Sequence, residues 1–131
     1  MKKVIQLLGR VLLAGIFLIS GFGKITNFQG TKEYMAHYGM PFPDCFLVGA
    51  IFLEIVGAFS ILLGYKSKWG AIFLIIFLIP ATIIFHANLS DQTQMIMFMK
   101  NVSILGGLLL IISSESDSIS LDKYIKRVKK N

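Results

Sequence analysis

The sequence predicts an all-α fold: an integral membrane four-helix bundle with a short interfacial helix in its first outer loop and an amphipathic cytoplasmic tail. Three observations carry that prediction. Hydrophobic residues make up 55% of the 131 residues, and the 12 glycines raise the apolar share to about 64%, against the roughly 45–50% of soluble domains. Four runs long enough to cross a bilayer are almost free of charge. The 13 lysines and arginines, set against seven acids, lie mostly at the ends of those runs. Hydrophobicity this high excludes charge-rich disorder, and the single Cys45 excludes a disulfide framework. No basic run is interleaved with aromatics as a nucleic-acid groove requires, so no nucleic-acid partner is expected.

The first run, residues 4–23, has Arg10 as its sole charge; the second, 45–65, has Glu54; the third, 69–86, has none; the fourth, 95–112, has Lys100. Lys2 and Lys3 ahead of an apolar stretch mimic a signal peptide. Arg10 interrupts that stretch, however, and the stretch exceeds the roughly 7–15 residues of a signal core. Residues 20–24 also make a poor cleavage site, so the helix is expected to be retained. Outside the spans, Lys2, Lys3, Lys66, Lys68, Lys123, Lys126, Arg127, Lys129 and Lys130 fall on one side of the membrane, and Lys24 and Lys32 on the other. By the positive-inside rule this nine-to-two asymmetry makes both termini cytoplasmic in a multi-pass plasma (inner) membrane protein.

Between the spans, residues 66–68 form a turn so short that the second and third helices must be antiparallel neighbours. The first loop, residues 24–44, has room for a helix capped by Thr31 and stopped by Gly39, with Pro41 and Pro43 barring continuation. Phe28, Tyr34, Met35 and Tyr38 would give it an apolar side suited to the outer interface. The chain therefore divides into a transmembrane domain, residues 1–112, and a basic tail, residues 113–131. In the tail Ser120 is placed to cap a helix with Leu121, Tyr124, Ile125 and Val128 on one face and basic residues opposite, which suits anionic membrane lipid.

Charges inside a membrane cost roughly 2.5–3.5 kcal/mol each on insertion scales, so Arg10, Glu54 and Lys100 are the candidate functional residues. Arg10, Ala14, Phe17, Gly21 and Lys24 share one stripe of the first helix; Glu54, Gly57, Ile61 and Gly64 share one of the second; Lys100, Ser103, Gly107 and Ser114 share one of the fourth. Each stripe is expected to face the bundle interior. Glu54 and Lys100 differ in depth by roughly 6 Å, which a lysine side chain bridges, so Glu54 is expected to pair with Lys100 first and to share with Arg10 second. Pro80 removes a backbone hydrogen bond from the third helix, freeing the carbonyl near Ile76, and a kink there would open space opposite Glu54. His86 and Asn101 offer hydrogen bonds to a ligand. Two histidines and one cysteine far apart give no metal site, and the alternation of Met95, Met97 and Met99 reads as packing. Neither a nucleophilic triad nor a phosphate loop is legible.

Arg10 with Val11-Leu12-Leu13-Ala14, then Phe17-Leu18-Ile19-Ser20-Gly21-Phe22-Gly23-Lys24, resembles the first-helix signature of the DoxX family of small four-helix membrane proteins. The region from Tyr34 to Pro43, Glu54 with Gly57, Phe85-His86, and Lys100-Asn101 with Gly106-Gly107 resemble that family in the expected order, over nearly the whole chain. The resemblance implies a membrane-embedded partner of a soluble or membrane oxidoreductase that handles quinone. Without a cysteine pair or a flavin or dinucleotide motif, the chain has no intrinsic cofactor, and electrons would come from the partner. On this reading Glu54 and Lys100 take the proton or charge-pair role, and Arg10, His86, Asn101, Phe17 and Lys24 line the ligand site. Phe59, Phe77 and Phe98 join Phe17 around the ring. The alternative is a non-catalytic scaffold or small-solute carrier in which the charges set helix geometry. Homo-oligomers are compatible with either, though no GxxxG seam specifies a contact.

Overall fold

The computed structural model describes residues 1–114 and 119–131. Residues 115–118 of the expected tail lie outside the described residues. Four long helices, α1 (Lys2–Thr26), α3 (Pro43–Leu63), α4 (Ser67–Phe85) and α5 (Gln92–Ser113), are apolar enough to cross a membrane, and two short ones, α2 (Phe28–His37) and α6 (Leu121–Lys130), accompany them. No strand occurs among the described residues.

Packing is open rather than ring-like. α3 packs against both α1 and α4, α5 packs chiefly on α4, and α1 and α5 meet only lightly, through contacts such as Leu13 with Gly107. The core is built from Ala14 and Phe17 of α1, Ala58 and Ile61 of α3, Ala71, Leu74 and Leu78 of α4, and Leu108 of α5. Elsewhere large apolar side chains such as Leu12, Ile19, Phe52, Ile76 and Leu110 are exposed, the inverse of a soluble protein and the surface that lipid tails would wet.

The α3–α4 pair shows how small residues set the geometry. A Cβ at Gly57 would lie 2.8 Å from Leu74 Cγ and 2.9 Å from the Gly70 carbonyl oxygen, and one at Gly70 would lie 2.5 Å from Ser60 Oγ. The two backbones thus touch where glycine faces glycine. α3 ends at Gly64, whose φ of 68° is natural only for glycine. The Tyr65 N–H bonds the Ser60 carbonyl at 3.0 Å and the Gly64 N–H bonds the Ile61 carbonyl at 3.2 Å, the Schellman pattern. The turn occupies residues 64–66, slightly ahead of the expected 66–68, and delivers the antiparallel neighbours as expected.

Two helix starts differ from expectation. α2 begins at Phe28, with Asn27 as its N-cap residue. Thr31 lies inside the first turn, where its backbone N–H and its hydroxyl both donate to the Asn27 carbonyl, at 3.0 and 2.9 Å. The hydroxyl is therefore satisfied without capping. α1 runs to Thr26, three residues past the expected end of the first span at Gly23, so Lys24 belongs to the helix. Gly39 stops α2 as expected, with φ 78°. Ser120 caps α6 through Oγ, which accepts from the Lys123 N–H at 3.2 Å. α4 continues as helix through Pro80.

The stripes of α1 and α3 face inward as the periodicity requires: Arg10, Ala14, Phe17 and Gly21 are buried, as are Glu54, Gly57 and Ile61. α5 does not follow its expected stripe. Lys100 and Ser103 are exposed, while Ile104, Leu105, Leu108, Ile111 and Ile112 turn toward the core. That second stripe is wholly apolar and packs by van der Waals contact against the core residues of α1 and α4, which a stripe interrupted by a lysine and two serines does less well.

Candidate functional site

Toward the end of the bundle near α2, α1 and α3 approach closely because Gly21 carries no side chain. A Cβ there would lie 2.6 Å from Ile55 Cδ1 and 3.5 Å from Glu54 Cβ. The close approach sets Glu54 in the protein interior, with its side chain 1% exposed. Lys24 reaches it: Nζ lies 2.8 Å from Glu54 Oε2, donates to Ser20 Oγ at 2.6 Å, and sits 5.2 Å from the centre of the Phe77 ring. A carboxylate with almost no solvent contact is thereby held by an ammonium that is itself fixed by the Ser20 hydroxyl and the face of the Phe77 ring.

This overturns the expected Glu54–Lys100 pair. Lys100 is exposed and has no ion-pair partner among the described residues. Three physical reasons converge. α1 extends to Thr26, which puts Lys24 on a helix rather than in a loop. Side chains on a helix tilt toward its N-terminus, which for Lys24 is toward the membrane interior and Glu54. Lys24 also continues the Arg10–Gly21 stripe that faces α3. Arg10 does not share Glu54 either. It lies near the opposite end of α1, where its guanidinium Nη2 donates to the Ile119 carbonyl ahead of α6.

The ion pair opens on a cavity of about 490 Å³ lined from α1, α2, α3, α4 and α5. Phe17, Phe77, Leu78 and Phe85 supply apolar wall, and Lys24, Glu54, His86, Lys100 and Asn101 supply polar groups. Of the expected ligand residues, Lys24, Phe17, His86 and Asn101 thus come together with Glu54 and Lys100, and Arg10 stands apart. Among the aromatics grouped in expectation, Phe17 and Phe77 reach the cavity; Phe59, 39% exposed, and Phe98 do not.

Local bonds fix the polar rim. The His86 Nδ1 and Gln94 Oε1 lie 2.7 Å apart, joining the end of α4 to the start of α5. Asn101 donates to Thr82 Oγ1 at 3.0 Å, and that hydroxyl donates in turn to the Leu78 carbonyl at 2.7 Å, within the stretch that Pro80 interrupts. Thr31, Tyr34 and Met35 of α2 line the cavity, so the short helix expected at the outer interface lies against the site with its apolar, aromatic side. Tyr34 stacks on Phe85 with ring centres 5.4 Å apart, Tyr38 meets the same ring edge-on at 5.1 Å, and the two phenols share a 3.4 Å hydrogen bond. Partial burial and the Tyr38 hydroxyl push the Tyr34 phenol up to about 12. The 3.1 Å Lys32–Asp44 pair ties α2 to the first turn of α3. Ser20, Met35 and Phe85 are site residues that sequence reasoning missed; the i, i+4 spacing of Ser20 and Lys24 was the available signal.

Comparison with known proteins gives a consistent result. The family model described as DoxX matches residues 5–87. Over 127 residues the chain is 34% identical to "Inner membrane protein YqjF" of Escherichia coli (strain K12), covering 97% of this chain and 96% of that protein. It is 35% identical over 128 residues to "Inner membrane protein YphA" of the same organism, covering 93% and 91%. No solved structure matches the chain.

Proposed function

The chain belongs to the DoxX family and is embedded in a membrane, and from that premise we propose that it is a quinone-interacting accessory membrane subunit of an oxidoreductase complex. The observation that carries the reading is the buried Lys24–Glu54 pair opening on a cavity walled by Phe17, Phe77 and Phe85. A quinone head is a flat apolar ring with carbonyl oxygens at opposite edges. It needs aromatic or aliphatic surface on its faces and hydrogen-bond donors at its rim. Lys24, Lys100, Asn101 and His86 are such donors, and a volume of about 490 Å³ accommodates a substituted ring with the start of its tail.

Each residue has a distinct part in this reading. Lys24 orients a carbonyl through an N–H that the ion pair leaves unused, since an ammonium has three donors. Glu54, the carboxylate in the cavity wall, exchanges the proton that accompanies reduction, with Lys24 holding it in place. The bound quinone supplies the two-electron chemistry, and the electrons come from a partner protein. Tyr34 and Phe85 exclude water at the rim. The nine-to-two distribution of basic residues orients both termini and α6 to the cytoplasm, with α2 and the cavity toward the outer face.

The test is direct. The protein is purified in mild detergent, its bound lipid is extracted, and quinones are quantified by mass spectrometry alongside a Glu54→Gln/Lys24→Met variant. About one quinone per chain in the wild type, lost in the variant, supports the reading. A folded wild-type protein that carries no quinone and binds no added short-chain quinone refutes it. One observation favours a structural alternative: Lys24 already engages Glu54, Ser20 and Phe77 from within the protein. A strut of that kind predicts a charge-free double variant that folds and retains quinone as the wild type does.

A further inference from the structure

A second cleft, of about 930 Å³, lies at the opposite end of the bundle, between α1, α5, the α3–α4 turn and α6. Arg10, Lys66, Lys68, Lys123 and Lys126 line it. Among the described residues one carboxylate joins them, Asp122, and its Oδ2 already accepts the Lys66 backbone N–H at 2.8 Å. The mouth thus carries five cationic side chains against one carboxylate among the described residues. Arg10 is only 8% exposed, and one of its guanidinium nitrogens donates to the Ile119 carbonyl. Its Nε, a donor, is buried without a hydrogen-bond partner, and so is the acceptor Oε1 of Gln6 one turn away on the same wall, which calls for a donor such as a head-group hydroxyl rather than for the phosphate itself. A buried guanidinium with an unused donor is costly to leave empty, so the site is shaped for an anion.

Below the cations the walls become apolar. Gly9 and Leu13 of α1 face Gly107, Leu110 and Ile111 of α5 across the seam where these two helices meet lightly. A side chain at Gly9 would meet nothing within 4 Å, while Leu13 lies 3.6 Å from where one at Gly107 would sit. Trp69 at the rim is 62% exposed, and α6 presents Tyr124 and Val128 uncovered, both marks of the level where head groups meet acyl chains. A free phosphate would use the cations alone, whereas a lipid uses the cations and the apolar seam together.

We propose that this cleft is a binding site for one anionic glycerophospholipid, its phosphate held by Arg10, Lys68 and Lys126 and an acyl chain laid in the α1–α5 seam. α6 forms the lid of the head-group pocket. It is anchored by the Asp122 N–H, which donates to the Gly64 carbonyl at 3.2 Å, and by the Asp122 carboxylate on Lys66. The site is separate from the cavity at Glu54 and does not depend on what occupies that cavity.

The experiment uses the full chain in detergent micelles, titrated with phosphatidylglycerol, phosphatidylcholine or inorganic phosphate and read by native mass spectrometry and thermal stability. The expected result is one retained phosphatidylglycerol per chain, with phosphatidylcholine retained poorly and inorganic phosphate giving no matching stabilisation. Lys68→Ala/Lys126→Ala removes two exposed cavity cations without touching the core and should weaken phosphatidylglycerol at least about tenfold. Lys129→Ala/Lys130→Ala removes two charges of α6 that lie outside the cleft and should change binding less than about twofold. Equal weakening by the two double variants would reveal diffuse adsorption and overturn the site. Equal retention of phosphatidylcholine, or stabilisation by inorganic phosphate alone, would overturn the lipid as occupant.

Discussion

Replacing Lys24 by Met leaves the Glu54 carboxylate, 1% exposed in the native protein, without the ammonium now 2.8 Å away. In soluble proteins, removing one member of a buried pair costs about 3–5 kcal/mol, because the remaining charge keeps its desolvation penalty and loses its attraction. Polar contacts between membrane helices average only about 0.6 kcal/mol, since chains unfolded within the bilayer also find partners. Burial decides between these figures: with the Glu54 side chain only 1% exposed in the cavity wall, the expected loss for Lys24→Met is about 3 kcal/mol. Glu54→Gln should cost less, about 1–2 kcal/mol, because the Lys24 side chain is 20% exposed and can turn its ammonium toward the interface. The double variant should lie within about 1 kcal/mol of the wild type. Reversible unfolding in mixed detergent micelles measures all four corners of the cycle, and a coupling of at least about 2 kcal/mol is expected. Single effects that add to within about 0.5 kcal/mol would show that the two residues do not act as a pair and would refute the reasoning.

Glycine contacts give a second, independent forecast. Gly57→Ala should destabilise by about 1–3 kcal/mol because the Gly70 carbonyl it meets is backbone, whereas Gly21→Ala should cost less than about 1 kcal/mol because the flexible Ile55 terminus can move; thermal unfolding in detergent compares them. Ser120→Ala removes the α6 cap and should lower stability of that helix by about 1 kcal/mol, seen as faster proteolysis after Leu121 with the four long helices intact. Tyr34, held neutral up to about 12 in the folded protein against about 10 when unfolded, should make the fold lose stability as pH rises between those values. The folded state binds the extra proton, so the contribution is complete below pH 10 and gone above 12. A difference absorbance titration against Tyr34→Phe should show tyrosinate forming near pH 12, and a midpoint near 10 would contradict the α2 packing.

Within single helices the sequence was a faithful guide. Apolar length and scarce charge set four spans, the 10-14-17-21 spacing chose the buried side of α1, Gly57 and Ile61 did so for α3, and Ser120 marked the start of α6. These are properties of one helix and its solvent, legible because a 3.6-residue period and the expulsion of charge from hydrocarbon act on each segment alone. Pairing between helices is another matter. That Glu54 takes Lys24 rather than Lys100 depends on how far α1 extends, on the tilt of its side chains, and on the rotation of α5, which yielded its polar stripe to a more apolar one. Lys24 lies on the stripe that faces α3, but its contact with Glu54 depends on α1 continuing past Gly23. The two cavities likewise arise from an arrangement in which α1 and α5 hardly meet, a compromise among all the helices at once. Periodicity determines which face each helix turns inward. Only packing, which must satisfy every face together, decides which residue it finds there.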